Sequence, residues 1–96
     1  QEKYHPYLCH SIGHSLGLDV HDCTPTTKDW QLKENMVVTI EPGLYIPISA
    51  TAAAAAFKGI GIRIEDDILI TKNGSENLTQ ELAKEIDDLQ MLCAEG

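Results

Sequence analysis

The sequence predicts an α+β fold, with antiparallel strands followed by a C-terminal helix. Three observations carry that prediction. Residues 36–41 (MVVTIE) and 59–71 (GIGIRIEDDILIT) are β-rich, the first in β-branched side chains and the second alternating apolar and polar with period two. Asn73-Gly74 is a strong tight-turn signal separating 64–71 from 75–79. Leu82, Ile86, Leu89 and Cys93 recur at steps of four, three and four, which lines them along one side of a helix. Strands followed by a single helix place that helix over one sheet face.

Taken in order, residues 1–13 hold Pro6 and Gly13 among histidines and small residues and read as loop with extended stretches. Residues 14–22 (HSLGLDVHD) alternate at Leu16, Leu18 and Val20, which predicts a short strand or extended loop with one buried face. Residues 23–35 are polar and turn-rich. The strand at 36–41 ends at Pro42-Gly43, and an extended piece follows over 44–48. The run Ala52 to Ala56 favours helix by propensity but is too short to form one alone, and it carries no chemistry. In 59–71, Ile60, Ile62 and Ile64 share one face, with Gly61, Arg63 and Glu65 on the other. The phase changes at Asp66-Asp67, which predicts a bulge or bend there. The helix should begin near Thr79 or Gln80.

The chain has 96 residues, 43% hydrophobic and 23% charged, with a formal charge of −8. That composition is globular and too apolar for disorder. The charge excludes a nucleic-acid binder, which needs a basic face, and a polybasic membrane-surface anchor. No apolar run approaches the ~20 residues of a spanning helix. The sequence opens at Gln1 without an initiator Met, a basic n-region or an apolar h-region, and is read as a fragment. Cys9, Cys23 and Cys93 are an odd number without framework spacing, which predicts free thiols in a reducing, intracellular compartment.

Two groups of residues carry candidate chemistry. His10, His14 and His21 fall within twelve residues, with Gly13 and Gly17 between them. Clustered imidazoles point to metal binding or proton transfer; His5, before Pro6, is read as an ordinary loop histidine. A zinc-helix signature of the H-E-x-x-H type is excluded, because Ser11 stands at the base position and Gly13 interrupts the helical turn. The second group is carboxylate. Glu41 closes the strand MVVTIE, and Glu65 follows GIRI on the same face as Arg63. Strand-borne carboxylates with a histidine suit Mn²⁺, Co²⁺, Zn²⁺ or Fe²⁺. Solvated edge-strand charges remain the competing reading.

HSIGHSLGLDVHD, MVVTIEPGLYIP and KGIGIRIEDDILIT, followed by NG and ENLT, together resemble the C-terminal part of the catalytic domain of Xaa-Pro aminopeptidases (aminopeptidase P). These are pita-bread metallopeptidases, a creatinase/aminopeptidase-like fold shared with prolidase and methionine aminopeptidase. The resemblance runs in order from about Tyr7 to Thr79, and GIGIRIEDD looks more like aminopeptidase P than prolidase. It implies His14, Glu41 and Glu65 as metal ligands, with Glu65 bridging two divalent ions, usually Mn²⁺ (Zn, Co or Fe being alternatives). It implies His10 and His21 as catalytic and substrate-contacting histidines, and Arg63 as a residue orienting carboxylates or substrate. The implied reaction releases the N-terminal residue from a peptide with proline second.

The same resemblance implies two further aspartate ligands on strands that precede the His motif. Residues 1–96 are therefore expected to be the C-terminal portion of one catalytic domain, inactive and aggregation-prone alone, with the remainder of that domain as partner. A homo-oligomeric parent enzyme in the cytoplasm or mitochondrion is expected, with no nucleic-acid or membrane partner. Two alternatives stand beside this reading: a non-catalytic pita-bread domain that binds protein or peptide, and a prolidase-type dipeptidase.

Overall fold

The structure, a computed structural model, describes residues 5–22, 30–53 and 55–96. Cys23 lies outside the described residues; Cys9 and Cys93 are free and exposed. Five strands and one helix follow in chain order: β1 (Val37–Ile40), β2 (Gly43–Tyr45), β3 (Gly61–Arg63), β4 (Asp66–Thr71), β5 (Gly74–Asn77) and α1 (Ile86–Ala94). One-turn 3-10 helices stand at His5–Tyr7 and Ala55–Phe57, the second using the end of the alanine run.

Two antiparallel sheets form, β1-β4-β5 and β2-β3. Their registers are continuous. Val37 opposes Leu69 and Ile40 opposes Asp66 in the first; Gly43 opposes Arg63 and Tyr45 opposes Gly61 in the second, at the same offset. One long ribbon is thus interrupted at residues 41–42 and 64–65. The cause is Pro42. The Ile64 N–H donates to the Pro42 carbonyl at 3.3 Å, and the reciprocal bond of such a pair would need the N–H that proline lacks. The irregularity expected at Asp66-Asp67 therefore falls one to two residues earlier, and Asp66 already opens β4.

β1 holds the buried residues Val38 and Thr39, and, like β4 between β1 and β5, it is paired along both edges. β4 lies on one side, and residues 12–16 run antiparallel along the other, through Glu41 N to Ile12 O (2.7 Å), Thr39 N to His14 O (2.9 Å) and Leu16 N to Val37 O (3.0 Å). A Cβ on Gly13 would overlap the Thr39 carbonyl, so the close approach of these two chains requires glycine there. The extended stretch is therefore 12–16, not 14–22. β1 begins at Val37 and offers no partner beyond Leu16, and Gly17 N to Asp19 O and Asp22 N to Ser15 O (both 3.2 Å) bend the chain back. Leu18 and Val20 are left exposed instead of sharing a buried face.

The β4–β5 hairpin turns at Lys72-Asn73, with Thr71 opposite Gly74, one residue earlier than Asn73-Gly74 suggested. The helix starts late, at Ile86, because residues 77–84 are committed to the start of β4. Thr79 donates its hydroxyl to Asp66 Oδ1 (2.7 Å) and accepts from the Asp67 N–H (3.1 Å). The Lys84 ammonium reaches Asp66 Oδ1 (2.9 Å) and the carbonyls of Thr79 (2.8 Å) and Leu82 (3.0 Å). Bonded first by Lys84 and then by Thr79, the Asp66 carboxyl is held down to about 2. Such local side-chain bonds outcompete helix propagation. α1 does not cover a sheet face, as expected of it; all its residues are exposed, and Asp87 and Asp88 in its first turn suit the helix dipole.

Among the described residues, Val38 is the one buried apolar side chain, while Leu44, Ile62, Ile64, Leu82 and Leu89 are exposed. The radius of gyration is 16.6 Å. A compact domain of this length would measure about 12.5 Å. The elements are formed, but most of the apolar surface they create is uncovered.

Candidate metal centre

Side chains alternate along the interrupted ribbon, so Glu41, Gly43 and Tyr45 share a face with Gly61, Arg63 and Glu65. Leu44, Ile62 and Ile64 occupy the opposite face and line, with His5, Leu8, Pro42 and Gly43, a groove of about 600 Å³. His5 thus stands apart from the other described histidines, at an apolar surface.

Glu41 is the anchor of the polar face, only 8% exposed. Its Oε1 accepts the Thr39 hydroxyl at 2.9 Å and lies 3.0 Å from His14 Nε2; its Oε2 is 3.6 Å from Arg63 Nη1. Thr39 Oγ1 in turn accepts the His14 backbone N–H at 3.0 Å, so one threonine positions both members of the pair. His14 Nδ1 lies 2.9 Å from the Ser15 carbonyl, an acceptor only, and must therefore donate to it. In the neutral imidazole, Nε2 then turns a bare lone pair toward a carboxylate oxygen. Two acceptors at 3.0 Å are stable only with a cation or a proton between them. A separation of this size is also what two neighbouring ligand atoms span when each lies ~2.1 Å from one divalent ion. The donor set fits a metal ion of the borderline-to-hard class.

A second network adjoins the first. Arg63 Nε donates to the Tyr45 hydroxyl at 2.8 Å, and the same hydroxyl lies 2.9 Å from His10 Nε2. His10 Nδ1 donates to the Ser11 carbonyl at 2.6 Å, which leaves neutral His10 Nε2 to accept the Tyr45 proton. The direction is set throughout: Arg63 to Tyr45 to His10. The Tyr45 ring occupies space that two glycines leave open, since a Cβ at Gly61 or Gly43 would come within 2.7 Å of Tyr45 ring or hydroxyl atoms. The Arg63 guanidinium is held above its ordinary value, first by the bond to Tyr45 and further by the Glu41 and Glu65 charges.

Of the sequence-predicted residues, the structure brings His14 and Glu41 into contact, Arg63 beside Glu41, and the His21 ring edge-on to His14 at 4.5 Å. His10 joins through Tyr45. Glu65 is exposed, and no three His, Cys, Asp or Glu side chains gather into a metal-binding group among the described residues. Its backbone position is nonetheless defined: continuing the register places Glu65 opposite Glu41, at the kind of pair where side chains of antiparallel strands approach most closely. Sequence reasoning missed Thr39 and Tyr45. A signal existed for Thr39, which lies two residues before Glu41 on one strand and hence on its face. For Tyr45 it is the pair of glycines at 43 and 61, whose relation appears only once the register is known.

The profile of metallopeptidase family M24 matches residues 1–72. Xaa-Pro aminopeptidase 3 of Rattus norvegicus is 41% identical over 88 residues, covering 92% of this chain and 17% of the relative. Intermediate cleaving peptidase 55, mitochondrial, of Arabidopsis thaliana is 51% identical over 89 residues, covering 93% of this chain and 18% of the relative. The solved structure of Zn-substituted Escherichia coli aminopeptidase P in complex with product superposes with a TM-score of 0.88 at 43% identity, covering 99% of this chain and 22% of that one. The chain therefore spans about a fifth of the length of the proteins it matches. It belongs to metallopeptidase family M24 and has the fold of the corresponding part of aminopeptidase P, the pita-bread fold.

Proposed function

From that membership we propose that the chain is the C-terminal portion of a metal-dependent Xaa-Pro aminopeptidase catalytic domain. In this reading His14, Glu41 and Glu65 hold divalent ions, Mn²⁺ foremost, and the remainder of the domain completes the site. The observation that supports it best is the placement of His14 Nε2 3.0 Å from an oxygen of the buried Glu41 carboxylate. A bound divalent ion supplies Lewis acidity and lowers the pKa of a water molecule.

The chain's own residues supply the rest. Thr39 keeps the Glu41 oxygen and the His14 backbone in fixed relation. Arg63 holds the Tyr45 oxygen so that its proton points at His10 Nε2, the atom at which a proton is taken up or given back. His21, whose ring stands edge-on to His14, is in this reading the second histidine that contacts substrate. The substrate is a peptide with proline second, a specificity supported by the named relatives. An intracellular setting, the mitochondrion included, is supported by the Arabidopsis relative and by the free thiols.

The test uses the whole polypeptide that carries these residues. Metal content and turnover of an Xaa-Pro peptide are measured for the wild type and for His14→Ala. The expected outcome is loss of bound metal together with loss of turnover. Unchanged metal content and unchanged function in His14→Ala would replace this reading with the non-catalytic binding module.

A further inference from the structure

Glu65, Asp66 and Asp67 are three consecutive acids at the interruption of the ribbon. Strand alternation turns Asp66, paired with Ile40, to the face opposite Glu65. There two donors hold one of its oxygens, the Lys84 ammonium at 2.9 Å and the Thr79 hydroxyl at 2.7 Å. Lys84 spends its other two protons on the carbonyls of Thr79 and Leu82, and both it and Asp66 are largely screened, at 21% and 25% side-chain exposure. The clamp is also covalently placed: Asp66 is the residue after Glu65 and the first of β4, two residues past Ile64, whose carbonyl lacks a ladder bond because Pro42 has no N–H. The Asp67 N–H to Thr79 Oγ1 bond (3.1 Å) and the Leu78 N–H to Asp67 O bond (2.8 Å) tie the next residue to the same returning segment.

We propose that Lys84 is a positioning residue for the metal centre: by clamping Asp66 it anchors the chain next to Glu65 and so holds the Glu65 backbone opposite Glu41. This rests on the reading of Glu65 as a ligand. Lys84 touches neither metal nor substrate; it acts through Asp66. A mere structural brace would change stability and leave ion binding alone, so ion binding is the discriminating measurement.

The experiment titrates Mn²⁺ calorimetrically into the metal-stripped whole polypeptide, beside thermal melts and KM and kcat for an Xaa-Pro peptide. Lys84→Met is expected to weaken Mn²⁺ binding about tenfold, as loss of an outer-shell partner does, with KM unchanged. Lys84→Arg, which keeps the charge and the donor, should restore most of the affinity. Lys84→Met combined with Asp66→Asn should bind Mn²⁺ no more weakly than Lys84→Met alone, since both changes break the same clamp; an additive loss overturns the clamp. Should Lys84→Met not fold, Thr79→Val removes the second donor to the same oxygen, and a loss of about threefold is expected by the same principle. Lowered melting temperature with unchanged Mn²⁺ affinity in Lys84→Met, or in Thr79→Val if that is the variant that folds, overturns the proposal. Glu65→Ala separates the two levels. If it leaves Mn²⁺ binding intact, the ligand reading itself is wrong and this inference falls with it; if it abolishes binding while Lys84→Met does nothing, only the clamp is wrong.

Discussion

The two faces of the ribbon formed by residues 41–45 and 61–65 are built from the same ten residues and have opposite fates. On one face, Glu41, Tyr45 and Arg63 find partners inside the chain, and Gly43 and Gly61 leave space for the Tyr45 ring. On the other, Leu44, Ile62 and Ile64 are only partly covered, and line an open groove of about 600 Å³. Directional polar bonds are satisfied locally, between residues one or two strands apart. Apolar burial needs area, and the described residues, with one buried apolar side chain among them, do not provide it. The polar face is therefore formed in this chain, whereas the apolar face is left largely uncovered.

The largest expected effect follows from that asymmetry. The chain expressed alone should show no turnover of an Xaa-Pro peptide and no cooperative thermal transition as a monomer, because so many of its isoleucines and leucines are exposed. A sharp melt in a monomeric sample, followed by calorimetry and sedimentation, would show that the apolar face is already adequately covered.

Next in size is the polar face itself. Glu41→Gln in the whole polypeptide keeps the shape but removes the charge facing His14 Nε2. Turnover should fall by about a thousandfold or more, since a lost metal ion forfeits several kcal/mol of transition-state stabilisation. Metal analysis of the same sample should show the ion lost. Retained metal with retained turnover would remove Glu41 from the ligand set.

Substitutions on adjacent residues of β3 sharpen the contrast. Gly61→Val puts side-chain atoms where the Tyr45 ring sits and displaces the hydroxyl that links Arg63 to His10. Turnover should fall by about a hundredfold, the cost of an ångström's misplacement, with metal content unchanged. Ile62→Ser, one residue along and on the other face, should leave turnover near wild type and lower the stability of the whole protein by about 1.5–3 kcal/mol, read from urea midpoints. Were the two variants to behave alike, the division of the ribbon into a site face and a packing face would be wrong.

Much of this division was legible in the sequence. The period-two run at 59–65 already separated Ile60, Ile62 and Ile64 from Gly61, Arg63 and Glu65, and the strand at MVVTIE set Glu41 at its end. What was not legible depends on contacts between segments distant in sequence. Leu18 and Val20 alternate as a strand would, but no partner strand extends past Val37 to receive them. Thr79 to Ala83 carry the helical stripe at Leu82, yet the bonds from Thr79 and Lys84 to Asp66 hold that segment out of a helix. Tyr45 drew no reading within the extended piece at 44–48; its hydroxyl acquires a role only when antiparallel register brings Gly61 and Arg63 alongside.

The smallest effect tests the junction that both faces share. Pro42 interrupts the ladder between Glu41 and Gly43, and Pro42→Ala restores an N–H opposite the Ile64 carbonyl. The added hydrogen bond should stabilise by about 0.5–1.5 kcal/mol, partly offset by the greater freedom of the unfolded chain once proline is gone. The local consequence matters more than the net. A closed ladder would draw residues 41 and 65 into regular pleat and remove the departure from it that the site now uses, so Mn²⁺ affinity should fall by about threefold, below the tenfold typical of a lost outer-shell partner. Urea midpoint and Mn²⁺ titration on one sample read both quantities. A gain in stability with a loss in affinity identifies the proline as the residue that interrupts the sheet in favour of the site. Equal or tighter Mn²⁺ binding would mean that the interruption serves the fold alone, with Glu41 and Glu65 indifferent to it.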